Sequence, residues 1–338
     1  MAETVLVTGG SGFIGGWCIV ELLRRGYVVR TTVRSLAKEA AVRTAIGAEV
    51  DPGDRLSFHA AELTSDAGWD EAAAGCDYVL HVASPLGTQQ PKVQDDLIVP
   101  ARDGALRALR AAAKAGVKRV VMTSSVSASS PDDRTPDSVS DESQWTSRAE
   151  GIGRAYDQSK MLAERAAWDF AAANSGTELV TILPSLVLGP VLTPDNLGSV
   201  QVVSRLMSGK VPGVPRIGFT LVDVRDVADA HIRAMTSPEA AGERFIVAHE
   251  FRWMGEIAGT LKARLGARAA KVPTRKLPDF VLRLIALFDP ELRLVVPGLG
   301  RRHSFTSAKA QRVLGWTPRP VEESIADCGA SLVEKGAV

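Results

Sequence analysis

Tyr156 and Lys160 stand four positions apart in the segment AYDQSK, and their side chains could together move a proton. Four residues make about one helical turn, so both side chains would project from one face of a helix. A tyrosine can act as a general acid, and a nearby ammonium lowers the pKa of a phenol from its usual value of about 10 by favouring the phenolate. We therefore expect a proton-donating centre with a lowered tyrosine pKa. The alternative is two unrelated residues on one helix face.

A glycine-rich segment near the N-terminus, VLVTGGSGFIG, carries Gly9, Gly12 and Gly15 between an apparent strand and an apparent helix. In that context the first glycine permits a tight turn, the second lets the backbone approach a pyrophosphate, and the third lets the helix pack close to the strand. The helix N-terminus adds free N–H groups and a partial positive charge. We expect a dinucleotide site, against the alternative of a glycine-rich loop without a ligand.

The end of the second predicted strand, in VVRTTVRS, indicates which dinucleotide is bound. Arg34 stands where an acidic residue would hydrogen-bond the ribose of NAD. An arginine there suits the additional phosphate of NADP through charge-assisted hydrogen bonds. We predict NADP(H) as the cofactor, with Arg34 and the nearby Lys38 at its phosphate. Solvated surface charge is the alternative for both side chains.

Short β-branched segments alternate with longer alanine-rich helical segments up to Pro184, a pattern typical of a parallel sheet with crossover helices. We predict strands at Thr4–Val7, Val28–Val33, Leu56–Ala60, Tyr78–Val82, Arg119–Thr123 and Leu179–Leu183. Helices are predicted at Phe13–Arg25, Val93–Ala115 and Tyr156–Ala173. The polar segment from Ser127 to Ser140 is expected to be a surface loop.

Prolines and glycines become frequent after Pro184, which indicates loops and short helices. The predicted fold class is α/β, a doubly wound parallel (Rossmann) sheet with a smaller C-terminal lobe. Residues 1–184 would form the dinucleotide-binding domain and 185–338 mainly the substrate-binding lobe. Segments around 217–235 are expected to return to the first domain.

The composition excludes several functional classes. Forty basic and thirty-nine acidic residues give a net charge of +1 without a run of like charges, which argues against a nucleic-acid partner. The three cysteines are scattered, so neither a disulfide framework nor a zinc site is expected. No apolar stretch reaches the roughly 20 residues of a membrane span. We expect a cytoplasmic monomer or homodimer that acts on a small molecule, without a metal.

Taken in order, the segments TGGSGFIG, HVASP, MTSSVS and YDQSK resemble those of the extended short-chain dehydrogenase/reductase family. Longer segments, among them GYVVRTTVR, YDQSKMLAE, ILPSLVLGP and LVDVRDVADAHI, resemble its dihydroflavonol-reductase-like branch. The resemblance implies a catalytic Ser125, with Tyr156 as proton donor and Lys160 as its partner, also bound to the nicotinamide ribose. It further implies cofactor contacts after the glycine turn, at the adenine, after the fourth strand and at the nicotinamide: Phe13, Ile14, Glu62, Leu63, Val82, Ala83, Ser84, Pro184 and Val187.

Two positions depart from the branch. Glu62 stands in place of an aspartate, which lengthens the side chain at the adenine, and Ser130 stands in place of an asparagine whose amide could bind ring hydroxyls. We therefore expect NADPH-dependent reduction of an aldehyde or ketone other than a flavonoid. Apolar side chains are expected in the substrate pocket: Leu86, Val191, Leu192, Met207 and Phe219.

Two other functional classes remain open at this point. A nucleotide-sugar epimerase or dehydratase that retains NAD would share the serine, tyrosine and lysine, but it calls for an acidic residue in place of Arg34. A non-catalytic nucleotide sensor is expected to have lost Tyr156 or Lys160.

Four other conspicuous residues are interpreted as structural. His81 lies in an apolar strand and is expected to be a satisfied core histidine. Asp226 is expected to cap a helix, with Asp223 and His231 nearby but not binding a metal. Trp316 is expected to pack in the interior.

Overall fold

The computed structural model describes residues 2–85, 93–131, 137–146, 155–195, 197–287 and 296–338. The strands in chain order are β1 Thr4–Val7, β2 Val28–Val33, β3 Leu56–Ala60, β4 Tyr78–His81, β5 Arg119–Thr123, β6 Ser138–Ser140, β7 Glu178–Pro184, β8 Leu186–Leu188, β9 Gly218–Asp223, β10 Arg244–Val247, β11 Phe251–Trp253 and β12 His303–Phe305.

The α-helices in chain order are α1 Phe13–Arg24, α2 Glu39–Gly47, α3 Trp69–Ala73, α4 Asp95–Lys114, α5 Ala155–Ala173, α6 Gln201–Met207, α7 Val224–Thr236, α8 Met254–Leu265, α9 Asp279–Ile285, α10 Ala308–Leu314 and α11 Val321–Glu334. None of the helices in the described ranges is both long enough and apolar enough to span a bilayer.

A seven-stranded sheet is the framework of the molecule, with the order β3, β2, β1, β4, β5, β7, β10 and every pairing parallel. The order reverses between β1 and β4, and in doubly wound sheets ligands bind at the carboxyl ends of the strands beside such a reversal. The predicted doubly wound Rossmann fold is confirmed.

The central strands are apolar on both faces because helices cover both faces. All five residues of β5 are buried, as are Val5, Leu6 and Val7 of β1. Side chains of α1, α7 and α10 form the core on one face, and side chains of α3, α4 and α5 form it on the other.

The sequence pattern locates these elements closely. Four of the six predicted strands have the predicted bounds, β4 ends one residue earlier than predicted, and β7 is one residue longer at each end. The predicted surface loop from Ser127 to Ser140 was wrong in part, because it contains β6, which pairs in parallel with β12. Residues 132–136 of that segment lie outside the described ranges.

The later part of the chain contributes to both halves of the molecule. A small sheet of β8, β9 and β11 and the helices α6, α8 and α11 enclose a second core. Helix α7 packs on α1 within the core of the large sheet, while β10 supplies the seventh strand beside β7. The division at residue 184 remains a prediction, and the structure adds β10 and α10 to the later segments that lie against the large sheet.

Candidate active site

A cavity of about 1640 Å³ runs along the carboxyl ends of six neighbouring strands of the large sheet. One wall consists of the residues that follow β1, β2, β3, β4, β5 and β7, and the other wall comes from the lobe. Every residue predicted to be catalytic or to contact the cofactor lines this cavity except Lys38.

The glycine turn after β1 leaves no space for side chains. Gly9 has a φ of +73°, and a Cβ there would lie 3.0 Å from the Cα of Ala83. A Cβ on Gly15 would lie 2.4 Å from the Gly9 carbonyl oxygen. Gly12 is the N-cap residue of α1 and provides no side-chain cap, so the first N–H groups of the helix are left for another acceptor. Because this helix end lines the cavity, the turn fits the pyrophosphate of a dinucleotide.

Arg30 within β2 and Arg34 directly after it have different environments. Arg30 donates hydrogen bonds to the carbonyls of Ala72 at 2.9 Å and Ala74 at 2.7 Å, so it ties β2 to α3. Arg34 is exposed at the strand end and lines the cavity, and none of the described carboxylates pairs with it. Its guanidinium is therefore available to a phosphate.

Lys38 closes a 3₁₀ turn, Leu36–Lys38, that follows β2. It is exposed and is not among the residues that line the cavity. Its contact with the cofactor remains a prediction.

Ser125, Tyr156 and Lys160 come together in the wall of the cavity. Ser125 follows β5, and its hydroxyl accepts a hydrogen bond from the Ser127 N–H at 3.2 Å and also bonds to the Tyr156 hydroxyl. Tyr156 lies in the first turn of α5 and is 36% exposed. Lys160 is 6% exposed, and its Nζ lies 5.9 Å from the centroid of the tyrosine ring.

The expected lowering of the Tyr156 pKa was wrong for the protein without cofactor. Desolvation raises the pKa of Tyr156, since it disfavours the phenolate, and the Ser125 hydrogen bond only partly opposes this effect. Burial also lowers the pKa of Lys160 to about 8, with Glu164 acting in the opposite direction. Desolvation is thus the largest effect on both groups, and Tyr156 holds its proton at neutral pH.

The substrate pocket predicted from apolar residues was mostly wrong. Phe219 lines the cavity, but Val191 and Met207 lie in the second core, which α6, α8 and α11 enclose. Leu192 packs against Gly16 instead, where a Cβ on the glycine would lie 2.7 Å from the leucine Cδ1. Helix α6 turns Met207 inward and presents Ser204 and Arg205 to the cavity. Leu86 lies outside the described residues.

Other cavity residues were not found from the sequence. His303 and Phe305 of β12 line the lobe wall, and no local motif marks them. Ser130, predicted from the sequence to stand at the position of the branch's asparagine, also lines the cavity, and its hydroxyl donates to the Val126 carbonyl at 2.9 Å.

A buried ion pair behind the catalytic residues was also missed. Glu164 lies one turn beyond Lys160 on α5 and pairs with Arg244 of β10 at 2.7 Å. The acidic residue of the segment SKMLAE was the available signal, four positions after the lysine.

The residues interpreted as structural do have structural roles, with one correction. His81 is buried and shares a hydrogen bond with the Thr8 hydroxyl at 3.0 Å, while burial lowers its pKa to about 4. The cap of α7 is Asp223, whose carboxylate accepts from the Arg225 N–H at 2.8 Å, and not Asp226. Asp226 accepts from the backbone N–H and the guanidinium of Arg319 at 2.8 and 2.9 Å.

Two further residues complete this interior. His231 shares hydrogen bonds with the Val227 carbonyl and the Thr123 hydroxyl, each at 2.7 Å, and burial lowers its pKa to about 4. Trp316 is buried and donates to the Asp226 carbonyl at 2.8 Å. No cluster suited to a metal ion occurs among the described residues.

Known proteins share both the sequence pattern and the fold. The model of the NAD dependent epimerase/dehydratase family matches residues 5–248. Cinnamoyl-CoA reductase 1 of Arabidopsis thaliana is 34% identical over 339 residues, covering 99% of this chain and 90% of the relative. Dihydroflavonol 4-reductase of Zea mays is 35% identical over 270 residues, covering 77% and 74% respectively.

Among solved structures, yeast methylglyoxal/isovaleraldehyde reductase Gre2, complexed with NADPH, superposes with a TM-score of 0.81 at 24% identity. The match covers 99% of this chain and 100% of the yeast chain. At that identity the similarity concerns the fold. The resemblance inferred from the sequence segments is confirmed.

Proposed function

The chain belongs to the NAD dependent epimerase/dehydratase family, and we propose that within it the protein reduces an aldehyde or a ketone to an alcohol with NADPH. The convergence of Ser125, Tyr156 and Lys160 beside the glycine turn is the observation that carries the proposal. The two relatives named above are both reductases, which supports it.

The strand ends suit NADPH in three places. The turn from Gly9 to Gly15 would hold the pyrophosphate, Arg34 the ribose phosphate, and Pro184 with Val187 the nicotinamide side. When bound, the cofactor supplies a hydride to the carbonyl carbon.

The protein itself supplies the proton. Tyr156, protonated at neutral pH, would donate its phenolic proton to the carbonyl oxygen as the carbon accepts hydride. The Ser125 hydroxyl, already in hydrogen-bond contact with that phenol, would donate to the same oxygen and stabilise its developing negative charge. Lys160 would stabilise the phenolate that remains until solvent returns a proton.

The size of the cavity allows cofactor and substrate to bind together. Ligand pockets usually measure about 300–1,000 Å³, whereas this cavity measures about 1640 Å³. The lobe wall contains the aromatic residues Phe219 and Phe305. The Ser130 hydroxyl donates its only hydrogen to a backbone carbonyl and offers ring hydroxyls fewer hydrogen bonds than an asparagine amide, which supports a carbonyl substrate other than a flavonoid.

We also propose that the protein works in the cytoplasm as a monomer or homodimer. Its cysteines, Cys18, Cys76 and Cys328, are free and buried, as suits a reducing compartment.

Consumption of NADPH and of NADH, followed separately with a panel of aldehydes, ketones and ketoesters, tests the proposal. We expect NADPH oxidation that depends on a carbonyl compound, and little oxidation of NADH. Purified protein that carries tightly bound NAD and gives no net oxidation of NADPH would instead support an epimerase or dehydratase.

A further inference from the structure

Glu164 is a fully buried carboxylate next to the catalytic residues, and the mechanism above does not use it. Tyr156, Lys160 and Glu164 follow one another at four-residue intervals on α5, so all three lie on one face of the helix. The Glu164 side chain accepts hydrogen bonds from the Ser124 hydroxyl at 2.6 Å and the Thr181 hydroxyl at 2.8 Å. It thereby links α5 to the residue that follows β5 and to the middle of β7.

Arg244 balances the charge of Glu164 from the opposite side. Its Nε donates to the carboxylate at 2.7 Å, and its Nη1 donates to the Glu142 carbonyl at 2.6 Å. The guanidinium also lies 3.6 Å from the centroid of the Trp145 ring. The pair therefore fixes the segment 141–146 as well as the helix.

The contacts of Glu164 and those of Arg244 both reach the backbone next to Ser125. Ser124, which donates to Glu164, is its neighbour in the chain. On the other side Thr146, the last residue of the segment that Arg244 fixes, donates from its hydroxyl to the Ser127 carbonyl at 2.6 Å. The same hydroxyl accepts from the Ser130 N–H at 3.0 Å. The backbone before and after Ser125 is thus held by groups that the ion pair organises.

We propose that Glu164 and Arg244 form a positioning pair for the catalytic centre, which holds Ser125 in place and sets a negative charge one helical turn from Lys160. The inference rests on the reductase function proposed above. Neither residue lines the cavity, so the pair acts through Ser124, Ser125 and Lys160 and does not contact the substrate.

The negative charge has a definite electrostatic consequence. Burial lowers the pKa of Lys160 to about 8, and Glu164 opposes that decrease. Two further titratable groups face the lysine, Tyr156 on its own helix and His81 of β4, which burial keeps neutral at neutral pH. Asp157, also on α5, acts on Tyr156. Arg244 lies behind Glu164 and partly cancels its charge.

The direction of the pH effect follows from these charges. Lys160 stabilises the phenolate only in its charged form, so kcat/KM should decline as pH rises through the pKa of the lysine. Glu164→Gln removes a stabilising negative charge, so the decline should move to lower pH by about one unit. Arg244→Met leaves that negative charge uncompensated, so the decline should move to higher pH.

The experiment measures kcat/KM against pH at saturating NADPH for the wild type, Glu164→Gln, Arg244→Met and the double variant. At pH 9 we expect about tenfold lower kcat/KM for Glu164→Gln than for the wild type. The reason is that, above the pKa, the charged fraction of a lysine falls about tenfold for each unit by which the pKa is lowered. For the double variant, the pH at which kcat/KM declines should lie between the values of the two single variants. It also leaves no unpaired charge, which protects the fold if a single variant is unstable.

Glu178→Gln is the matched control, because it removes the carboxylate partner of Arg119 at the amino ends of β5 and β7. That pair lies away from the cavity, so the control should change thermal stability without moving the pH profile. Equal midpoints in all variants, with activity losses that follow melting temperature, would overturn the inference and limit the pair to a structural role.

A second readout needs no substrate. The pKa of Lys160 can be followed by NMR in protein labelled with ¹³C at the lysine ε carbon, with Lys160→Arg identifying the signal. Shifts of opposite sign in the two single variants support the inference, and unchanged titration refutes it. A wild type that oxidises no NADPH would refute the proposed function instead, and the NMR titration would still decide the role of the pair.

Discussion

The two walls of the cavity are built in different ways. The sheet wall consists of residues that follow successive strands, and several belong to short motifs such as the glycine turn and the Ser125 segment. The lobe wall brings together residues from distant segments, for example Phe219 of β9 and Phe305 of β12. The sheet wall would therefore provide the chemistry shared by a family, whereas the lobe wall would provide the selection of a particular substrate.

Tyr156→Phe should have the largest effect on the sheet wall. Removal of the general acid should lower kcat about 100- to 10,000-fold while the affinity for NADPH is retained. Steady-state kinetics and fluorescence titration with NADPH measure the two quantities. Activity within a few-fold of the wild type would show that Tyr156 is not the proton donor.

Gly15→Ala should weaken the binding of NADPH, although Gly15 lies in the phosphate turn and not at the reacting carbonyl. The new Cβ would lie 2.4 Å from the Gly9 carbonyl oxygen, so the turn must shift. We expect the Kd for NADPH to rise about 100-fold or more by isothermal titration. Gly47→Ala in α2 is the matched control, since a Cβ there meets nothing within 4 Å, and it should leave the Kd unchanged.

Arg34→Gln should change the choice between cofactors. A charge-assisted hydrogen bond contributes about 1.5–3 kcal/mol, so the Kd for NADPH should rise about 10- to 100-fold while that for NADH is little changed. Lys38→Gln, outside the cavity lining, should have a smaller effect. Equal losses for both cofactors in the Arg34 variant would contradict a phosphate contact.

Phe219→Ala tests the lobe wall and should have the smallest effect. Loss of an apolar contact should raise the KM for the best carbonyl substrate about tenfold, with the Kd for NADPH unchanged. Equal weakening of cofactor and substrate binding in this variant would contradict the assignment of substrate selection to the lobe wall alone.

The same contrast explains what could be predicted from the sequence. The strand bounds were accessible because local hydrophobic periodicity specifies them. The spacing of Tyr156 and Lys160 is a local signal as well, whereas Ser125 was accessible only through the resemblance of its segment to a known family. The pairing of Ser138 with His303 was not accessible, because it joins residues 165 positions apart without a matching motif.

Burial was the second quantity that the sequence did not provide. The apolar character of Met207 predicts a place in the pocket, but the rotation of α6 places its side chain in the core enclosed by α6, α8 and α11. The pKa of Tyr156 was expected to fall because Lys160 is one turn away, yet desolvation by the cavity walls determines its direction. Both outcomes depend on surroundings that form only when distant segments pack together.

Transfer of deuterium from NADPH deuterated at the transferring position of nicotinamide C4 is the most direct test of the central claim. The wild type, incubated with a carbonyl compound that it consumes, should form an alcohol that carries deuterium on the former carbonyl carbon, detected by mass spectrometry. Under the same conditions the Tyr156→Phe variant should form this deuterated alcohol at least about 100-fold more slowly. Product without deuterium from either face of the nicotinamide, or an isomerised product without net NADPH oxidation, would contradict the account.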